Sequence, residues 1–98
     1  MPNVVFRPLA EDDLLGLYEY ITRMAGHGVA AGYIDRLEAA CLSLVTFPER
    51  GRARDDIVLG VRTLAVKRRV LIVYREWAGQ VEILRVLYGG RDTGGAFL

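Results

Sequence analysis

The hydrophobic pattern changes period part-way along the chain. Up to Thr46, apolar residues recur at three- and four-residue steps; after Gly60 they crowd into near-continuous runs broken by short turns. The first pattern belongs to amphipathic helices and the second to strands buried in a sheet. Helices first and a strand meander last predict an α+β fold. The 98 residues allow one domain, 1–98, with one true core. Such a body buries about 65% of its extended surface, which leaves no room for a large enclosed cofactor.

Val4-Val5-Phe6 opens the chain as a short strand. Pro8 follows, tolerated at a helix start because its missing N–H would be unpaired there anyway. Glu11, Asp12 and Asp13 then fit a first turn, at the positive end of the helix dipole. Leu14, Leu17, Tyr18, Ile21 and Ala25 mark a helix to about Met24, interrupted by Gly26-His27-Gly28. A second helix runs from about Val29 through Tyr33, Leu37 and Cys41 to Thr46, since Pro48 disfavours the α conformation at Phe47. Together the two read as an antiparallel hairpin.

Residues 48–60 form a charged connector with Gly51 and Gly60. Three strands follow: Val61–Val66, Arg69–Glu76 and Val81–Tyr88. Ala78-Gly79-Gln80 makes a clear turn; Lys67-Arg68 is a weak one, because neither residue favours positive φ. Val70-Leu71-Ile72-Val73-Tyr74 shows no polar alternation, so this strand belongs at the centre of the sheet, covered on both faces. Helices supply one cover. The other face needs a partner or stays partly open. The Gly-rich end, about 89–98, reads as a flexible tail, and no internal repeat or linker divides the chain.

Several function classes are excluded early. Val70–Tyr74, the longest uncharged apolar run, is far shorter than the ~20 residues of a membrane helix, and the N-terminus lacks the pattern of a signal peptide. One cysteine permits no intramolecular disulfide and suits a reducing cytoplasm. With His27 the only histidine, neither a metal site nor a histidine-based nucleophile is expected, and no cofactor is implied. His27 reads as a polar loop residue, and Cys41 as core.

Charge points to a division of tasks. Residues 1–48 hold three arginines against six acids, whereas 49–98 hold ten cations against six acids. Arg62, Lys67, Arg68, Arg69, Arg75, Arg85 and Arg91 lie on or beside the expected strands, either as a phosphate-binding face or as solvated strand ends that deter aggregation. Arg85 stands apart, embedded in Ile83-Leu84-Arg85-Val86-Leu87, where a charge requires a partner or a pocket. Tyr88 beside it can stack, but a phenol is a poor general base at neutral pH. Gly89-Gly90-Arg91-Asp92-Thr93-Gly94-Gly95 lacks the lysine spacing of a nucleotide loop. The carboxylates show no pairing suited to acid–base catalysis.

Taken in order, the local strings resemble the ParE/RelE superfamily of bacterial toxins, and its ParE branch in particular. They are AEDDLLGLYEYI, then Gly-x-Ala-Ala-x-Tyr-Ile-x-x-Leu at 28–37, then Phe47-Pro48-x-x-Gly51-Arg52-x-Arg54. Gly60-Val61-Arg62-x-Leu64, Ile72-Val73-Tyr74-Arg75 and the stretch from Val81 to Asp92 complete the match. The resemblance implies a helical hairpin on a twisted, mostly antiparallel sheet. It also implies a toxin of a type II toxin–antitoxin system, neutralised by a ParD-like antitoxin whose disordered segment folds onto an exposed groove and sheet edge. Leu14, Leu17, Tyr18, Ile21, Tyr33 and Leu37 are the expected antitoxin contacts.

Within the superfamily, RelE-like members cleave messenger RNA on the ribosome, while ParE-like members poison DNA gyrase by binding. The resemblance favours binding. Val70-Leu71, Leu64 and Tyr88 stand where nuclease relatives often carry an aromatic or arginine, a lysine and a histidine respectively. Arg62, Lys67, Arg68, Arg69, Arg85, Tyr88 and Arg91 become candidates for contacting the target. A nuclease would draw on Arg62, Lys67, Arg85, Tyr88 and Arg91. A third alternative is a module that binds antitoxin and poisons nothing. No membrane association and no sequence-specific DNA recognition are expected.

Overall fold

The computed structural model describes residues 3–89, so Arg91 and the tail at 90–98 lie outside the described residues. Its elements run β1 (Val4–Phe6), α1 (Pro8–Ala25), α2 (His27–Thr46), β2 (Arg52–Ala53), β3 (Val61–Val66), β4 (Val70–Trp77) and β5 (Gln80–Tyr88). They form an α+β fold, with two helices packed on an open sheet of order β1-β5-β4-β3-β2. Only β1 runs parallel to its neighbour, pairing Val4 with Val81 and Phe6 with Ile83.

Pro8 is the first residue of α1, so only Glu11 of the three acids lies in the first turn. Asp12 and Asp13 fall one turn further on. The loop expected at 26–28 shrinks to one residue: Gly26, at φ 93°, ends α1 and starts α2. Its N–H donates to Thr22 O, and its carbonyl accepts from Ala30 N. His27 and Gly28 are therefore helical. The connector carries a strand that no periodicity signals, β2, whose two residues pair with Arg62 and Thr63.

β4 is central, as its composition requires, hydrogen-bonded to β3 and β5. One face of the sheet packs Val70, Ile72, Tyr74, Val81, Ile83 and Val86 under Leu17, Ile21, Leu37, Cys41 and Leu44 of the helices. The opposite face holds a smaller cluster, Val61, Val73 and Leu87, with Leu71 and Leu84 beside it. Both tight turns use left-handed backbone. Ala78 and Gly79 lie at φ 52° and 77°, as a two-residue hairpin requires. In the β3–β4 turn, whose three residues link the paired Val66 and Val70, Lys67 and Arg68 take φ 54° and 68°, against their own preference.

Candidate functional site

The cationic residues do not converge on one catalytic centre. Arg62, on β3, donates from Nη1 to Gly51 O at 2.9 Å and sits 3.4 Å from Glu49 O. It stitches the connector to the sheet. Nearby, the buried Tyr74 hydroxyl accepts from Gly51 N at 2.7 Å and donates to Pro48 O at 2.8 Å, which fixes the start of the same connector.

Arg85 finds the partner that its apolar surroundings demand. Its Nε and Nη2 donate to the two carboxylate oxygens of Asp13 at 2.7 and 2.9 Å. The same carboxylate accepts from Val86 N at 2.9 Å. β1 covers only the first part of β5, so Asp13 caps a backbone donor that no neighbouring strand reaches. A register shift between Val73 and Tyr74 accompanies this stretch of β5, in keeping with a bulge that re-aims a side chain. Donating to the Asp13 carboxylate raises the Arg85 pKa further, so the guanidinium stays charged. Arg85 is thus a structural cation.

Tyr88 is half-buried and packs its ring against Tyr20 and Tyr33, with centroids 5.8 and 6.2 Å apart. The Tyr33 hydroxyl is buried, and burial foremost, then Tyr88, pushes its pKa up. Lys67, Arg68 and Arg69 occupy the exposed tip of the β3–β4 hairpin, joined to the end of β5 where Gly89 N donates to Arg69 O. A shallow groove of about 250 Å³ beside them is lined by Ala65, Leu71 and Leu87 as well as Arg68 and Arg69.

Of the residues expected to meet an antitoxin, Leu17, Ile21 and Leu37 belong to the core and are not on the surface. Leu14, Tyr18 and Tyr33 are half-buried. Apolar exposure lies elsewhere on the helices, at Leu9, Leu15, Met24, Val29 and Leu42, and beyond α2 at Phe47. The expected helical stripe had found the core face instead.

One further expectation holds and one shifts. Cys41 is buried, and desolvation pushes its thiol up to about 12, so it is an inert core residue. His27, placed in a loop by the sequence, is the first residue of α2, its Nδ1 hydrogen-bonded to Tyr18 Oη at 2.8 Å. The sequence alone does not name Asp13 or Tyr74 for these roles. Asp13 did carry a signal: it stands three residues after Ala10 and four before Leu17, on the buried stripe of α1. Among the described residues, no group of His, Cys, Asp or Glu is arranged to hold a metal ion, and no helix is long and apolar enough to cross a membrane.

Three comparisons bear on this arrangement. Residues 4–93 match the family model described as the ParE toxin of the type II toxin–antitoxin system parDE. Toxin ParE3 of Caulobacter vibrioides is 35% identical over 83 residues, covering 85% of this chain and 81% of the relative. The fold superimposes with a TM-score of 0.77 on a chain from the chromosomal ParDE TA system of P. aeruginosa. That match is 24% identical in sequence and spans 90% of this chain and 95% of the other.

Proposed function

Because the chain belongs to the ParE toxin family of type II toxin–antitoxin systems, we propose that it arrests growth by binding DNA gyrase and is held inactive in the cytoplasm by a ParD-like antitoxin. The observation that carries binding over cutting is the engagement of Arg62 and Arg85. Both belong to the candidate nuclease set, and both are tied to internal partners rather than held ready for a scissile phosphate. Tyr88 packs tilted against Tyr20 and edge-on against Tyr33. A charge-stabilising donor contributes about 10²–10³-fold and a general acid or base about 10²–10⁴-fold, so a site without them is a weak nuclease. The antitoxin segment then settles across the hairpin of α1 and α2, over half-buried Leu14, Tyr18 and Tyr33 and exposed Leu15 and Leu42.

Purified chain added to gyrase and relaxed plasmid tests this reading. Supercoiling is expected to stall, and to recover when a ParD-like antitoxin is added. Translating extracts given the same chain should keep their messages intact. Messages cut at translated codons would replace the proposal with the ribosome-dependent nuclease. If expression leaves growth unaffected, only an antitoxin-binding module remains.

A further inference from the structure

The tip of the β3–β4 hairpin combines two independent features. Its three consecutive residues, Lys67, Arg68 and Arg69, are all cationic and all exposed. Several other arginines on the sheet and its connectors are tied down: Arg85 on Asp13 at 2.7 Å, Arg75 on Glu82 at 2.7 Å, Arg54 on Asp56 at 3.0 Å and Arg62 on the Gly51 carbonyl at 2.9 Å. No carboxylate pairs with the three tip cations among the described residues. Secondly, Lys67 and Arg68 hold φ at 54° and 68°, a region that costs a residue with a Cβ roughly 1–2 kcal/mol. Asn and Gly tolerate this backbone region with far less strain. If solubility were all the tip supplied, the cheaper residues would serve as well.

We propose that this tip grips the phosphate backbone of duplex DNA without reading its sequence. The tip is an exposed turn rather than a walled nest, so an isolated small anion finds little to enclose it. A polyanion that passes over the tip can touch all three cations at once. A two-stranded ribbon is the width that the DNA major groove admits. Arg36, exposed on α2, lies close enough to act on Tyr33 together with Arg69, which extends the positive surface toward the helices. Single strands fit less well, because they are held by aromatic faces on which unpaired bases stack. Here Tyr20, Tyr33 and Tyr88 turn their rings to one another instead. The inference does not rest on gyrase being the target, since it concerns DNA and this chain alone.

Fluorescence anisotropy with a labelled random-sequence duplex tests it. The purified chain is compared with the double variant Lys67→Asn, Arg68→Gly and with a triple variant adding Arg69→Gln. Wild-type binding is expected at 50 mM salt and should weaken roughly 40-fold by 200 mM, as three phosphate contacts require. The triple variant should bind at least tenfold more weakly. The double variant should melt at the same or a higher temperature than wild type, because its turn is relieved of strain. No duplex binding at 50 mM salt overturns the proposal, as does unchanged binding by a folded triple variant. Equal or tighter binding of single-stranded DNA or RNA would reassign the surface to unpaired strands. Displacement of the duplex by polyglutamate at matched charge would reassign it to an acidic protein.

Discussion

At the scale of single residues, Gly51 sits in a closely confined spot. A Cβ there would lie 2.5 Å from the Tyr74 hydroxyl and 2.8 Å from the Thr63 carbonyl oxygen, a backbone atom on β3. Tyr74 is buried to 1% exposure in the central strand, so it has nowhere to retreat. Gly51→Ala should therefore destabilise the fold by about 1–3 kcal/mol, the range for overpacking. Equilibrium urea unfolding measures this directly; an unchanged midpoint would show that the connector is not held against Tyr74. The sequence carried part of this detail. Gly51 stood out in the Pro-x-x-Gly string, yet nothing in it names Tyr74, more than twenty residues away, as the obstacle. Arg85 was more legible. An arginine inside an apolar strand announces a partner, and only the three-dimensional crossing of α1 over β5 identifies it as Asp13.

Among the elements, the boundaries most readable from sequence were those set by backbone chemistry. Pro8 and Pro48 bracket the helical hairpin, and Gly79 marks the β4–β5 turn. Two features escaped for opposite reasons. β2 is too short to have a period. The Lys67-Arg68 turn adopts a conformation those residues resist, which tertiary pairing of β3 with β4 imposes. The link between the helices shows how far one residue can be stretched. Gly26, at φ 93° and ψ 166°, serves both helix ends at once. No atom crowds the space where its Cβ would go, so Gly26→Ala isolates the backbone term. We expect a loss of about 1–2 kcal/mol, read as a lower thermal midpoint. An undiminished midpoint would mean that the helix junction relaxes freely.

At the scale of the whole molecule, the fold class follows from the change of hydrophobic period, and the central place of β4 from its unbroken apolar run. Surface assignments were harder. The stripe Leu17, Ile21 and Leu37 is the same signal whether it meets the sheet or a partner, and the sheet claims it first. Burial also sets how the fold answers to alkali. Cys41 is raised from 9.0 to about 12 by desolvation, and Tyr33 and Tyr74 are raised from 10.0, again chiefly by burial. In the unfolded chain these groups lose protons first, so unfolding releases protons and stability falls as pH climbs from about 9 toward 12. Each fully shifted group steepens that fall by about 1.4 kcal/mol per pH unit at most. Urea midpoints taken at pH 8, 9.5 and 10.5 should decline, and Cys41→Ala should flatten the first part of the decline. A constant midpoint would contradict the burial.

The parallel pairing of β1 with β5 couples the first strand of the chain to its last described one. On the ribosome, β1 emerges early and then waits while the intervening elements are made. At about 5–20 residues per second, that delay lasts roughly 4–15 s. A nascent chain thus carries a sheet with one seam still unstitched, and the finished shape exists only once β5 is free to meet it. Under the function proposed above, that interval is time in which an antitoxin meets a polypeptide whose sheet is not yet closed.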